Sequence, residues 1–183
     1  MEQRALTIRS KNGRLPVLQT KACVAPIGFS GNPDSLQELN AIWDTGATNT
    51  AMDAGIAKKL KLIPTGVRQV HTASGILDTE TYLVDIFFKL NKVAIRNMEV
   101  TAVKLGNADM LIGMDIITMG DFAITNADGR TTMSFRTPSM KLIDFVPESN
   151  LHNMKLTKRL RQKTSSPTKN AQVSRKKKKK KRK

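Results

Sequence analysis

Asp44 closes a short apolar run, Ala41-Ile42-Trp43, and is followed at once by Thr45-Gly46-Ala47 and a small polar stretch, Thr48-Asn49-Thr50. A carboxylate at the end of a hydrophobic strand stands where charge is costly, so such a group is kept for a task. The chemistry open to it is proton transfer, taking a proton from water or giving one to a polarised carbonyl. The competing reading is a plain turn acid, because Asp-x-Gly is common in turns. What separates the two is the rest of the chain.

Other chemistries find little support. Asp109, Asp115 and Asp121 do not form a metal site, and Asp53 and Asp115 read as helix caps. His71 falls in an expected strand and His152 near the C-terminus, and neither has the Cys or His neighbours that zinc requires. No Ser-His-Asp or Cys-His arrangement and no Gly-rich phosphate loop is indicated. No cofactor is expected.

The elements that must position Asp44 read as β structure. Ala5–Ile8 and Leu15–Leu18 flank Lys11-Asn12-Gly13, and Asn-Gly between apolar runs predicts a hairpin. Residues 28–34 form a loop, and 38–43 a strand that runs into the Asp44 turn. Asp53 precedes a short helix with Ile56, Ala57 and Leu60 on one side. Val67–Thr72 and Ile76–Leu90 face each other across Ala73-Ser74-Gly75, a hairpin tip, and Val93–Val103 follows as another strand. Met110-Leu111-Ile112 is a short apolar strand stopped by Gly113, with one helical turn after it. Phe122–Thr125 and Thr131–Phe135 pair across residues 126–130. Many short strands, tight turns and one or two short helices predict a small, mostly β fold, a closed or semi-closed barrel.

The order of these parts resembles the retropepsin-type aspartic proteases, in the single-motif form found outside viruses as well as within them. The resemblance rests on Asp44-Thr45-Gly46-Ala47, the Gly-tipped hairpin at Ser74-Gly75, and Met110-Leu111-Ile112-Gly113-Met114-Asp115 before a helical turn. It covers residues 35–138. It implies that Asp44 is the catalytic aspartate and that Thr45 locks two active-site loops together across a dimer axis. Gly46 would let the backbone approach the substrate, and Ala73, Ser74 and Gly75 would form the flap that closes over a bound peptide. Leu111, Ile112 and Gly113 would pack beneath the active-site loop. Viral members often pair an acid after the loop with an Arg after the later Gly; here those positions are Thr48 and Met114, so both partners are missing together.

The implied mechanism uses two carboxylates, and the chain has one Asp-Thr-Gly, so a homodimer with Asp44 from each subunit on a twofold axis is expected. Such a dyad shares one proton. Ala47, where two-lobed relatives carry Ser or Thr, removes a hydroxyl that would favour the charged form, and activity from mildly acidic toward neutral pH is expected. The function implied is an aspartic endopeptidase acting on peptides or proteins. The alternative is a catalytically silent dimer of the same fold, anchored to nucleic acid or another polyanion. Trp43 reads as core packing, while pocket walls are sought among Trp43, Val70, Ile76, Leu77 and Met114.

The net charge of +16 is unevenly distributed. Residues 1–150 hold sixteen Lys and Arg against fifteen acids, whereas residues 151–183 hold fifteen Lys and Arg and no acid. Nine consecutive basic residues, Arg175 to Lys183, repel one another and bind polyanions through counterion release. The stretch from 151 onward has no Phe, Tyr or Trp with which to stack on bases. Three regions are expected: residues 1–34 as an N-terminal β segment, serving as dimer interface or pro-segment; 35–147 as the protease-like domain; and 148–183 as a disordered polybasic tail. Leu151, Met154, Leu156 and Leu160 allow an amphipathic turn or two within it. Cys23 is the one cysteine, so no internal disulfide forms. With no transmembrane segment and no signal-like stretch, a cytoplasmic location is expected, or a nuclear one in a eukaryote.

Overall fold

A computed structural model describes residues 4–72 and 75–164. The chain forms two compact units, residues 1–141 and 142–183.

The first unit is built from ten strands. Six close into a barrel: β2 (Gln19–Pro26), β3 (Leu39–Trp43), β8 (Met110–Ile112), β4 (Ala51–Asp53), β7 (Val93–Val103) and β6 (Gly75–Phe88), with β6 returning to β2. Closure depends on β2 serving two neighbours in turn. Its first half, Gln19 to Ala22, pairs with β3, and its second half, Cys23 to Pro26, pairs with β6. Closing a sheet in this way removes the exposed edges that would invite aggregation. β5 (Gly66–Thr72) lies outside the ring, paired with β6 alone.

The alternation expected of half-buried strands is visible in β3, where Leu39, Ala41 and Trp43 are buried while Asn40 and Ile42 are partly exposed. These side chains meet Met52, Ile86, Phe88, Val93, Ile95, Val100, Met110 and Ile112 in one core. A second sheet, β1 (Arg4–Arg9), β10 (Thr132–Thr137) and β9 (Asp121–Thr125), adds Leu6, Met133 and Phe135 to it. Trp43 joins the two sheets: its ring stacks 5.5 Å from both Phe88 and Phe122 and lies 5.1 Å from Phe135. Its indole N–H is satisfied by the Thr20 hydroxyl at 3.0 Å, as a buried donor requires.

Two sequence expectations are corrected. The Asn12-Gly13 turn is present, with Gly13 at φ 69°, but β1 does not pair with Leu15–Leu18. Pro16 has no N–H to give a ladder, and β10 offers β1 six registered partners instead, Thr137 to Thr132. Within residues 1–34, expected as an N-terminal β segment, β2 is a stave of the barrel. Finally, residues 148–164 are not disordered: they belong to a 20-residue helix, α3 (Phe145–Thr164), in the second unit. Residues 165–183, with the basic run, lie outside the described residues.

Candidate active site

Strand β8 lies between β3 and β4 in the barrel, so the segment from Asp44 to Thr50, which joins β3 to β4, must arch over the end of β8. Trp43, buried at 5% exposure, fixes the last residue of β3. Asp44 then continues the pairing for one more step, its N–H donating to the Ile112 carbonyl at 3.0 Å. The arch turns immediately: the Gly46 N–H donates to Asp44 Oδ1 at 2.8 Å, and the Ala47 N–H to the Asp44 carbonyl at 3.2 Å. One carboxylate oxygen is thereby oriented by backbone, and the side chain stays partly exposed at the mouth of the loop. A Cβ on Gly46 would stand 3.2 Å from that same oxygen, so the glycine also leaves room for the carboxylate it binds.

The chain leaving β8 passes beneath the arch and is tied to it at each step. A Cβ on Gly113 would lie 2.5 Å from the Asn49 carbonyl carbon and 2.9 Å from the Thr50 nitrogen. Only glycine fits there. The Met114 N–H donates to the Ala47 carbonyl at 2.8 Å and the Asp115 N–H to the Thr48 carbonyl at 3.2 Å. The helical turn α2 (Met114–Ile117) begins at this point and buries Ile116 and Ile117.

Asp115 is corrected. The residue at the N-cap of α2 is Gly113, and Asp115 lies inside the turn. Its carboxylate faces the arch: Oδ2 accepts the Thr50 N–H at 2.8 Å, and Oδ1 accepts the Thr50 hydroxyl at 2.7 Å and the Ile116 N–H at 2.8 Å. The Thr50 hydroxyl in turn accepts the Gly113 N–H at 3.1 Å. Thr50 and Asp115 are thus the clasp of the site, and neither stands out by local pattern. The signal was the pairing of a small hydroxyl residue before β4 with an acid just after the glycine. Asp53 keeps its expected role, accepting the Gly55 N–H at 2.9 Å at the start of α1 (Ala54–Lys59), and its second oxygen takes the Leu105 N–H at 3.1 Å.

The expected β5–β6 hairpin is present, with Gly75 drawn from the tip into β6 opposite Thr72. Gly75 has φ 126°, a conformation reserved in practice for glycine, and a Cβ there would meet nothing within 4 Å. Ala73 and Ser74 lie outside the described residues. The hairpin exposes apolar side chains, Val67 at 73%, Ile76 at 61% and Leu77 at 46%. Trp43, by contrast, is buried in the core. Among the described residues, no three His, Cys, Asp or Glu side chains converge to hold a metal ion.

Residues 26–116 match the sequence model of a family described as aspartyl protease. Over this stretch the chain is similar to the aspartyl proteases. The matched stretch contains the β5–β6 hairpin as well as the Asp44 arch and the Leu111-Ile112-Gly113 segment, the last two of which the structure brings together. Among solved structures, the chain is similar to a retropepsin-like aspartic protease from Rickettsia conorii, with 18% identity, 74% of this chain and 96% of that one covered, and a TM-score of 0.47. It is also similar to the Simian Foamy Virus (mac) protease, with 19% identity, 54% and 89% coverage and a TM-score of 0.36. The EIAV protease solved with the inhibitor HBY-793 gives 20% identity, 55% and 85% coverage and a TM-score of 0.38. No curated protein matches the chain.

Proposed function

We propose that this protein is an aspartic endopeptidase of the retropepsin type that works as a homodimer, each subunit supplying its Asp44. The observation that carries the reading is the single Asp44 arch: a partly exposed carboxylate oriented by the Gly46 N–H and braced from below by Gly113 and the Thr50–Asp115 clasp. Such bracing holds a reacting group to the small tolerances that catalysis demands. One chain offers one such carboxylate, whereas water-mediated peptide hydrolysis of this kind uses two.

In the dimer, the two Asp44 carboxylates would stand about 3 Å apart and hold one proton between them. The ionised partner takes a proton from a water, whose oxygen attacks the scissile carbonyl carbon. The protonated partner donates to the carbonyl oxygen as it becomes a hydroxyl. Collapse of the tetrahedral intermediate breaks the C–N bond, with a proton delivered to the leaving amine. Thr45, exposed beside Asp44, would join the two arches across the dimer axis. The β5–β6 hairpin, with its apolar side chains and Gly75 next to the tip, serves as the flap over an extended substrate.

The test is incubation of the purified protein with a diverse peptide mixture near pH 5, with cleavage read by mass spectrometry beside an Asp44→Asn variant. Cleavage lost in the variant, from a protein that sediments as a dimer, supports the reading. A strict monomer that cleaves peptide overturns the dyad, and silence from a confirmed dimer overturns the activity.

A further inference from the structure

Successive residues of a strand point to opposite sides of the sheet, and directly opposed residues to the same side. Trp43 faces the core, so Asp44 points away from it, on the side of Ile42. The strand registers carry that side across the barrel. Ile42 stands opposite Leu111, Leu111 opposite Ala51, Ala51 opposite Thr101, Thr101 opposite Thr81, and Thr81 opposite Gly66. None of these residues is part of the core that holds Trp43, whereas their strand neighbours Met110, Met52, Ala102 and Tyr82 are. Two residues beyond Gly66 and two before Thr101, the same side carries Arg68 and Glu99, paired at 2.5 Å with side chains 47% and 41% exposed. Arg68 is opposite Thr79 and Glu99 opposite Leu83, so the pair reaches over the row that holds Thr81 and Thr101, both buried.

We infer that Arg68 reads an acidic side chain of the substrate, and that Glu99 parks its guanidinium until a substrate arrives. The inference rests on the reading of Asp44 as the catalytic carboxylate of a peptide-binding site. Among the described residues Glu99 is the one partner of that guanidinium, which has five N–H donors and can give two of them to one carboxylate. An ion pair this exposed adds little to stability and exchanges partners at small cost. Arg68 is the member better able to turn to a ligand, on a long side chain and a strand bonded to β6 alone; Glu99 sits on β7, between β4 and β6. β5 lies five strand spacings from β3, about 24 Å, which an extended peptide covers in about seven residues. The acidic residue is therefore expected within about seven positions of the bond cut.

The test measures binding, so it does not depend on cleavage. Full-length Asp44→Asn protein is offered a diverse mixture of peptides about sixteen residues long, and those retained are identified by mass spectrometry. A matched pair with Glu or Gln at the enriched position is then titrated by fluorescence anisotropy. Glu should bind about tenfold tighter than Gln, and adding Arg68→Gln should abolish that advantage. Glu99→Gln, which releases the guanidinium, should keep the advantage or enlarge it, whereas a merely structural pair would make the two variants alike. Circular dichroism checks that each variant is folded. The basic run at 175–183 also attracts acidic peptides, so only the part lost with Arg68→Gln counts. An acid advantage that survives Arg68→Gln, a preference for Lys or Arg in its place, or no charge preference among retained peptides would overturn the inference. Cleavage by the parent with no acid preference would overturn it alone, and an Arg68-dependent preference in a parent that cleaves nothing would overturn the catalytic reading alone. A protein that retains no peptide would overturn both.

Discussion

The Asp44 arch and the outer half of the β5–β6 hairpin are held in opposite ways. The arch is short, crossed from beneath, and bonded at nearly every residue: Asp44 to Ile112, Ala47 to Met114, Thr48 and Thr50 to Asp115. In that outer half, β5 and residues 75–80 of β6 form a backbone ladder only with each other, and Val67, Ile76 and Leu77 are turned to solvent. Stability in a folded protein is not uniform, and segments with few buried contacts open at lower cost than the core. A site that must hold a carboxylate still and yet admit a polymer needs both kinds of segment. The contrast teaches that the arch is held by threading one chain segment under another, while the outer half of the hairpin rests on a single backbone ladder.

The comparison is sharpened most by Asp44 itself. Asp44→Asn should lower peptide cleavage by about 10³-fold or more, while thermal unfolding stays where it was, because the amide can still accept the Gly46 N–H. A parallel loss of stability would mean that Asp44 is structural. Next in size is Gly113→Ala. Its Cβ would stand 2.5 Å from the Asn49 backbone, so the arch must move, costing about 1–3 kcal/mol or more and taking activity with it. Denaturant unfolding and cleavage rate measured together would show both falling; a stable, active Gly113→Ala protein would break the threading argument.

The clasp comes third. Asp115→Ala leaves the Thr50 hydroxyl and N–H without their acceptor and should cost about 2–3 kcal/mol. In a double-mutant cycle with Thr50→Val the two losses should be strongly non-additive, and additive losses would mean that the pair does not act as a unit.

Acid should loosen the barrel before it touches the hairpin. Asp85 is 1% exposed. Burial opposes its charge, but the Asn97 N–H and the Arg96 guanidinium outweigh burial and hold its carboxyl below the usual range. Asp121 is held well below that range by the Ser139 hydroxyl, Arg136 and the N–H groups of Met140 and Lys141. A depressed folded value means the stabilisation is present above the unfolded carboxylate range and drains as pH falls through the folded value. Unfolding free energy should therefore decline steadily below about pH 4, and Asp85→Asn should flatten that decline in a urea titration. The smallest effect belongs to the hairpin: Ile76→Ala should change stability by no more than about 0.5 kcal/mol yet raise KM. A large stability loss there would erase the distinction drawn above.

Local pattern carried much of this molecule. The spans of β7 and β8, the β9–β10 hairpin, the Asp44 turn and the Asp53 cap are each written in a few adjacent residues: alternation, an apolar run, Gly at a turn, an acid ahead of a helix. The partners of β1 were not legible, because Leu6 is buried against Phe135 and Met133 more than a hundred residues away, and nothing near Asn12-Gly13 reports that competitor. Asp115 looked like a cap for the same reason, its true partner Thr50 being 65 residues distant. The helical extent of α3 was missed as well. Its apolar residues occur at irregular intervals among polar and charged ones, so the periodic signal was weak.

The sequence by itself determined which residues could do chemistry, because the cost of a charge beside Trp43 and the freedom of a glycine are properties of neighbours along the chain. Only the tertiary structure decided that Gly113 must pass under Asn49, that Thr50 and Asp115 close the arch, and that β2 completes the barrel. Those facts depend on segments far apart in sequence meeting at van der Waals and hydrogen-bond distance, and distance in space is what a one-dimensional pattern does not contain.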